Sequence, residues 1–257
     1  MPIDFFSFAG EIRNKVYEEL LSVSEPIIIE LGPRHLYMVA ISCPYSAILL
    51  VNKMANREAS PLLYSRNRFE FGIDRPGTKA GHETERMVFA SFVSQIGLQN
   101  ASFLRHLCIP FSASNNHYPA GMVLEENSIS TLKLIRDKCI GITTLDAVFE
   151  TITAEMLAVV YASFNSMPSL KNVNIITYDG LLSVDLREKI CNWGWILEVM
   201  ELEEEEDDYS YESDDDEGHY WRGYDSYSLL CPVVDVGCAL GDLEQLCASR
   251  KLPWAIS

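Results

Sequence analysis

The side chains best able to do chemistry in this 257-residue chain are five histidines and seven cysteines. No histidine stands at metal-ligand spacing from a second His, Cys or acidic residue, and no two cysteines form a C-x-x-C pair. The G-x-S-x-G, P-loop and G-x-G-x-x-G patterns of nucleophile elbows and nucleotide sites do not occur. A Ser, His and Asp set from distant parts of the chain could still meet after folding. We therefore expect a binding protein rather than an enzyme, with no cofactor and no metal.

One histidine and two tryptophans could either bind a ligand or have only a structural role. His106 lies between Arg105 and Leu107 in a strand-like stretch, where a surface or half-buried imidazole is expected rather than a ligand. Trp193 and Trp195 could anchor a bound molecule, but at the end of a core helix we expect them to pack inside the protein.

The cysteines and the lengths of the apolar runs indicate where in the cell the protein is located. An odd number of cysteines in a chain that is 48% hydrophobic favours small buried thiols in a reducing environment. The opening "MPIDFFSFAG" lacks the basic and long apolar regions of a signal peptide, and no apolar run approaches the roughly 20 residues of a membrane span. We expect a cytoplasmic or nuclear protein without membrane contact.

The net charge of -17 is concentrated in one segment. Thirteen of the 37 acidic residues lie within 198–217, which has no Lys or Arg, and the rest of the chain is nearly balanced. No basic stripe is present to neutralise phosphates, so we expect no nucleic-acid partner. The segment at about 203–222 is predicted to be a disordered acidic loop, in which Ser213 and then Ser210 have the acidic context of kinase sites.

The first 75 residues show helical spacing around a strand-rich insertion. Ile12, Val16 and Leu20 form one stripe of a helix, and we expect them to be mostly buried. Residues 25–42 read as a hairpin or two short strands around Gly32-Pro33. Residues 46–67 are again helical, and Pro61 is predicted to start a new helix.

From about residue 83 a helix leads four times into a short strand, which predicts an α/β fold with a mainly parallel sheet. Two of these strands read L-x-x-L-x-L at 104–109 and 170–175, so the units are irregular leucine-rich-repeat-like. We expect Leu107, Leu145 and Val173 at equivalent positions of neighbouring strands. We assign 1–75 as one helical region and 76–257 as the repeat-like region, which ends in a helix capped by Asp242.

The chain resembles an uncharacterised family of fungal proteins described as F-box-like. Its members open with Leu-Pro-x-Glu-Ile-Arg-Asn-x-Ile-Tyr-Glu, and "EIRNKVYE" at 11–18 matches this opening, with Phe8 and Ala9 in place of Leu-Pro. The stretches "SISTLKLIRDKCIGITTL" and "MPSLKNVNIITYDG" are similar to the repeat-like part of the family.

The resemblance implies a function in protein interaction. It implies that the N-terminal segment docks on the adaptor of a cullin-type ubiquitin ligase through Phe8, Ile12 and Tyr17, and that the repeats select a substrate protein. The other reading of the same helices is structural, because a terminal repeat needs a cap over its apolar face. In that case the protein is a scaffold without a ubiquitin role.

Overall fold

The computed structural model describes residues 4–31, 36–39, 44–71, 82–114, 121–178 and 182–200. These residues fold into six α-helices and nine β-strands. The helices are α1 (Gly10–Leu21), α2 (Lys53–Arg66), α3 (His82–Ala101), α4 (Glu126–Lys138), α5 (Ala154–Asn165) and α6 (Val184–Asn192). The strands are β1 (Ile27–Leu31), β2 (Leu36–Val39), β3 (Arg68–Phe71), β4 (His106–Pro110), β5 (Ala113–Ser114), β6 (Val123–Leu124), β7 (Thr144–Phe149), β8 (Asn172–Thr177) and β9 (Ile196–Val199).

Seven strands form one sheet in the order β2-β1-β3-β4-β7-β8-β9, and β5 and β6 form a separate small ribbon. Every neighbouring pair in the large sheet is parallel except the predicted hairpin of β1 and β2. Along the large sheet, each new parallel strand therefore lies beside the preceding parallel one, and each of these crossovers contains a helix. The predicted α/β fold with a mainly parallel sheet is confirmed, and strands from both predicted regions, 1–75 and 76–257, belong to this one sheet.

A single apolar core fills one side of the sheet, where the helices pack. Ile109 and Ile175 both point to that side and are buried in the core, as expected from the two-residue period of a strand. Cys108 and Val148 point to the opposite side; they are also buried but do not belong to this core. We call the opposite side the open face, because no helix of the described residues contributes to a core there.

The strand register agrees with the repeat pattern of the sequence. Leu107 pairs with Leu145, and Leu145 pairs with Val173, in neighbouring parallel strands. The prediction of equivalent positions is confirmed. The common register follows from burial, because a slip by one residue would turn each apolar set away from the helices.

One predicted helix boundary is wrong and another is confirmed. Pro61 does not begin a helix but lies inside α2, which starts after Asn52, whose side chain accepts a hydrogen bond from the Ala55 amide at 2.8 Å. The prediction was wrong because this cap, nine residues upstream, sets the start of the helix. The regular part of α3 does end at Gly97, as predicted; its φ of 76° is a left-handed conformation that glycine adopts without strain.

The buried side of α1 is not the predicted one. Ile12 is 50% exposed and Val16 37% exposed, whereas Tyr17 and Leu21 are completely buried. The expected burial of Ile12 and Val16 is therefore wrong. Two adjacent stripes of this helix carry apolar residues. The stripe that contains the aromatic ring of Tyr17 packs against α2, and the stripe of Ile12 and Val16 does not.

Several predicted features lie outside the described residues. These are the acidic loop at 203–222, its two candidate phosphorylation sites and the final helix, that is, Ser210, Ser213 and the segment after Asp242. Of the cysteines that the structure describes, Cys108 and Cys139 are buried free thiols as expected, but Cys191 is exposed.

Candidate functional site

The first candidate site is an exposed apolar stripe on the N-terminal helix. Phe8, Ile12 and Val16 follow one another at intervals of four residues, and Phe8 is 38% exposed. A spacing of four residues places Ile12 and Val16 along one line of the surface of α1, and Phe8 lies two residues before this helix, in extended backbone. We call these three residues the N-terminal stripe. A line of partly exposed apolar side chains on a fixed helix is a surface that another protein can cover.

A partly buried polar network fixes the helix that carries the stripe. Arg13 Nε donates to Glu58 Oε2 at 2.9 Å, and a second nitrogen of the guanidinium pairs with Glu58 Oε1, so the contact is bidentate. Arg13 also donates to the carbonyl oxygens of Phe6 and Phe8, which ties the preceding turn to α1. The Tyr17 hydroxyl lies 3.3 Å from Glu58 Oε2 and donates to it.

The charges of this network follow from its contacts. The hydrogen bond from Arg13 lowers the pKa of the Glu58 carboxyl against the opposing effect of burial. Burial, and after it the charge of Glu58, raises the pKa of the Tyr17 phenol. At neutral pH Glu58 is therefore an anion that accepts hydrogen bonds from both Arg13 and Tyr17.

The ends of α1 and α2 are joined by Asn67. Its side-chain amide donates to the carbonyls of Leu21 and Leu63, each at 2.8 Å, and its oxygen accepts from the Val23 amide at 2.8 Å. Asn67 is buried, and all three of these bonds connect it to backbone groups that the ends of the helices would otherwise leave unpaired.

The three residues expected to dock on an adaptor do not share one surface. Phe8 and Ile12 are exposed, but Tyr17 is buried between α1 and α2, with its ring edge-on to Phe5 at 5.7 Å. Tyr17 is corrected from a contact residue to a supporting residue, since a buried phenol cannot reach a partner. Val16, expected in the core, takes its place on the exposed side.

The second candidate site is a polar cluster on the open face, centred on Asp146. Asp146 is only 3% exposed, yet it points away from the apolar core. Its Oδ2 lies 2.8 Å from His106 Nε2 and 3.1 Å from a guanidinium nitrogen of Arg68, and its Oδ1 accepts from Asn174 Nδ2 at 2.6 Å. Arg68 is also 3.8 Å from Glu70. Four adjacent strands, β3, β4, β7 and β8, contribute these side chains.

Asp146 is ionised at neutral pH in spite of its burial. Burial alone would raise the pKa of this carboxyl, but the hydrogen bond and charge of His106, the charge of Arg68 and the hydrogen bond from Asn174 together lower it. An ionised carboxylate only accepts hydrogen bonds, so His106 Nε2 must carry a proton. The other ring nitrogen, Nδ1, is then directed away from Asp146.

The cluster has the parts of a proton-transfer site but not its reactivity. Asp146 already accepts two hydrogen bonds and forms an ion pair with Arg68, so it orients its neighbours rather than taking a proton. Burial raises the pKa of the adjacent Cys108 thiol to about 12, although the nearby Arg68 opposes the shift. A thiol held in that state is a poor nucleophile at neutral pH. Within the described part of the chain, no group of three or more His, Cys, Asp or Glu is placed to hold a metal ion.

Sequence reasoning missed most of this cluster. His106 was expected at the surface or half-buried, and its side chain is 33% exposed, but its partner Asp146 lies 40 residues downstream in the chain. The one available signal was Asp146 itself, an acid inside the otherwise apolar strand "LDAVF". An acid in such a strand must have a partner, and strand pairing supplies it.

The two tryptophans form part of an aromatic group at the end of α6. Trp193 stacks on Tyr161 with ring centroids 4.0 Å apart, and Trp195 contacts both rings and Phe164. Tyr161 and Phe164 belong to α5, and the two tryptophans lie in the turn between α6 and β9, so these rings pack α5 against that turn. The expectation that the tryptophans pack is confirmed.

Among the described residues, none of the helices combines the length and apolar character needed to cross a membrane. Comparisons of the chain with protein families, with curated proteins and with solved structures found no match. The argument for function therefore depends on the two surfaces just described.

Proposed function

We propose that this protein is a non-enzymatic protein-interaction module that works as an F-box-type substrate-recognition subunit of a cullin-type ubiquitin ligase. The N-terminal helices then form the F-box-like part, and the helix–strand units form a leucine-rich-repeat-like part that contacts a substrate protein. The proposal rests on the resemblance of residues 11–18 to F-box-like proteins and on one structural observation. That observation is the exposure of Ile12 and Val16 on a helix held by the Arg13–Glu58 pair, with Phe8 exposed just before this helix.

The arrangement of the helix supports docking in a specific way. Residues of the matched motif divide into two groups: Arg13 and Tyr17 hold the helix in place, and Ile12 remains at the surface. A surface that is rigid before binding loses less conformational entropy when a partner covers it. The N-terminal stripe is therefore suited to be a contact surface.

A direct binding experiment with the purified ligase adaptor from a fungus tests this role. The full chain should bind the adaptor, and Ile12→Asp or Val16→Asp should weaken binding at least tenfold, because each puts a charge in an apolar contact. Asn14→Asp is the matched control, since Asn14 is exposed on the same helix outside the stripe. Binding of Asn14→Asp should equal that of the parent.

The alternative function is a scaffold without a ubiquitin role. It is favoured by the burial of Tyr17 and Leu21, through which α1 covers the end of the helix layer as a cap does. The ligase role is refuted if the parent chain does not bind the adaptor, or if the Ile12→Asp variant binds it as tightly as the parent does. The scaffold function is then the remaining proposal.

A further inference from the structure

Strand β9 lies at one end of the large sheet, where it pairs only with β8 among the described residues. Its burial is incomplete on the side that faces the helices. Leu197 and Val199 are only half-buried, whereas Ile175 and Thr177, their partners in register on β8, are completely buried. On the open face, Ile196 is 61% exposed. The apolar layer therefore continues past β8 but is not closed at β9.

The backbone of β9 has hydrogen-bonding groups that point away from β8. The Met200 amide donates to the Thr177 carbonyl oxygen at 2.9 Å, so it points towards β8. Because this direction alternates along a strand, the N–H and C=O groups of Leu197 and Val199 point to the other side. No strand of the described residues lies on that side, which we call the free edge of β9.

The sequence of this edge lacks the lysine and proline residues that commonly keep sheet edges from pairing with further strands. The stretch "WILEVM" at 195–200 is apolar except for Glu198. Such an edge is a template for another strand. Residues 201–257 follow β9 directly, so the chain itself is the nearest source of that strand.

Within 201–257, the stretch "LLCPVVDV" at 229–236 has the pattern of a strand with one side on a core. One set of alternate residues is entirely apolar and consists of Leu230, Pro232, Val234 and Val236. The other set includes Asp235, whose charge suits a face in contact with water. This period of two predicts that the apolar set faces the helices and extends the layer of Leu197 and Val199.

Pro232 favours one orientation of this segment. In the large sheet, residues that face the helices direct their N–H and C=O groups towards the following strand, as Phe111 does towards β7 and Thr177 towards β9. In a parallel strand beside β9, position 232 would therefore point away from the sheet, where proline loses no hydrogen bond. In an antiparallel strand with the same apolar side, it would point at β9, and a ladder hydrogen bond would be missing.

The connection from β9 to this segment has the length of a parallel crossover. It spans 201–228, compared with 72–105 between β3 and β4 and 178–195 between β8 and β9. A parallel pair needs a connection of about a dozen residues or more, whereas a tight turn is enough for an antiparallel pair. The length and the position of the proline thus indicate the same orientation.

We propose that residues 229–236 bind the free edge of β9 as an additional parallel strand of the large sheet. Leu197 and Val199 then exchange backbone hydrogen bonds with the residues that alternate with Pro232. The edge that remains carries this proline and is protected by it. A partner's strand cannot pair with β9 while the segment is bound. This inference depends neither on the ligase role nor on the N-terminal stripe.

Hydrogen exchange of single backbone amides, measured by NMR on the full-length chain, tests the pairing. The amides of Leu197 and Val199 should exchange at least tenfold more slowly than in the urea-unfolded chain. Fast exchange at these two amides would show that the edge is open and would refute the proposal.

Within the segment, protection from exchange should alternate along the chain. Slow exchange is expected where the amides point to β9, at Cys231, Val233 and Asp235. Fast exchange is expected where they point away from it, at Leu230, Val234 and Val236. The reverse alternation would indicate an antiparallel strand and overturn the proposed orientation.

Two adjacent proline substitutions form a matched pair. Val233→Pro removes an N–H that points to β9, so it should accelerate exchange at Leu197 and Val199 at least tenfold. Val234→Pro removes an N–H that points away from β9 and should leave that exchange within threefold of the parent. Unchanged exchange in 144–149 confirms that both variants are folded. Equal effects of the two variants on β9 would refute the pairing.

Other occupants of the free edge give different results. If a second copy of the chain covered β9, protection at Leu197 and Val199 would fall on dilution, and 229–236 would exchange quickly. If another segment of the same chain covered it, protection would not depend on concentration and Val233→Pro would have no effect on it. Either result overturns the proposal.

Discussion

The residue whose substitution is most informative is Asp146. It is a nearly buried carboxylate with two hydrogen-bond donors and one ion-pair partner, which come from three different strands. Such a group stabilises the fold only while it is ionised, because protonation removes its attraction for Arg68. Its contribution therefore depends on pH in a direction that can be stated.

We predict that Asp146→Asn destabilises the protein at pH 7 by about 1–3 kcal/mol, the usual range for a broken hydrogen bond to a buried charged group. Because the pKa of Asp146 is lowered in the folded chain, its stabilisation is complete above the unfolded value of about 3.9 and is lost as the pH falls through the folded pKa. Urea unfolding between pH 7 and pH 3 measures this. The difference between parent and Asp146→Asn should shrink below pH 4; a constant difference would contradict the assignment.

Two glycines provide a second prediction at this scale. A Cβ on Gly141 would collide with the Arg105 guanidinium and with the Ser102 carbonyl oxygen, part of it backbone that cannot move aside easily, whereas a Cβ on Gly10 meets nothing closer than 3.8 Å. We expect Gly141→Ala to destabilise by more than about 1 kcal/mol, the lower end for overpacking. Gly10→Ala, at the start of α1, should be neutral or stabilising by up to about 1 kcal/mol. Equal melting temperatures for the two variants would refute the close approach at Gly141.

Helix α1 shows how one element can serve two purposes. Its inner side contributes Tyr17 and Leu21 to the core and Arg13 to the network with Glu58, and its outer side presents Ile12 and Val16. The hydrophobic pattern of the helix is broad, so the inner side was not determined by spacing alone. Packing against α2 selects the stripe with the aromatic ring and the polar partner.

This division predicts a contrast between adjacent residues. Tyr17→Ala should destabilise by about 3–5 kcal/mol, as for other buried aromatic residues. Val16→Asp should change stability by less than about 1 kcal/mol, because a charge at this partly exposed position keeps its contact with water. Chemical unfolding of both variants provides the test, and a large loss for Val16→Asp would show that this side of α1 is covered.

At the scale of the whole molecule, the sheet is an ordered series in which each parallel strand contacts its predecessor and its successor. Strands β4, β7 and β8 have hydrogen-bonded neighbours on both sides, whereas β2 pairs only with β1 among the described residues. The centre of such a series opens only when the core is lost, but its ends can open locally.

Hydrogen exchange measured by mass spectrometry should reveal this order. We expect the slowest exchange in peptides from 106–110, 144–149 and 172–177, and exchange at least tenfold faster in 36–39. Urea unfolding of the parent gives the free energy of global opening, with which the protection of the central strands is compared. Uniform protection along the chain, or slower exchange in 36–39 than in 144–149, would contradict the expected gradient.

The sequence by itself determined the alternation of helices and strands and the side of the sheet that is buried. Both depend on local spacing: a period of two fixes which of Leu107 and Cys108 faces the helices, and repeated patterns at Leu145 and Val173 fix the register. The fold class followed from these local rules.

Only the tertiary structure decided what the surfaces are. Asp146 meets Arg68 and His106 because three strands far apart in the chain are adjacent in the sheet, and spacing along the chain does not encode that meeting. The exposed side of α1 was also undecided until α2 packed against it and covered Tyr17 instead of Ile12. Burial depends on the neighbour as well as on the residue, and the neighbour is known only when the chain has folded.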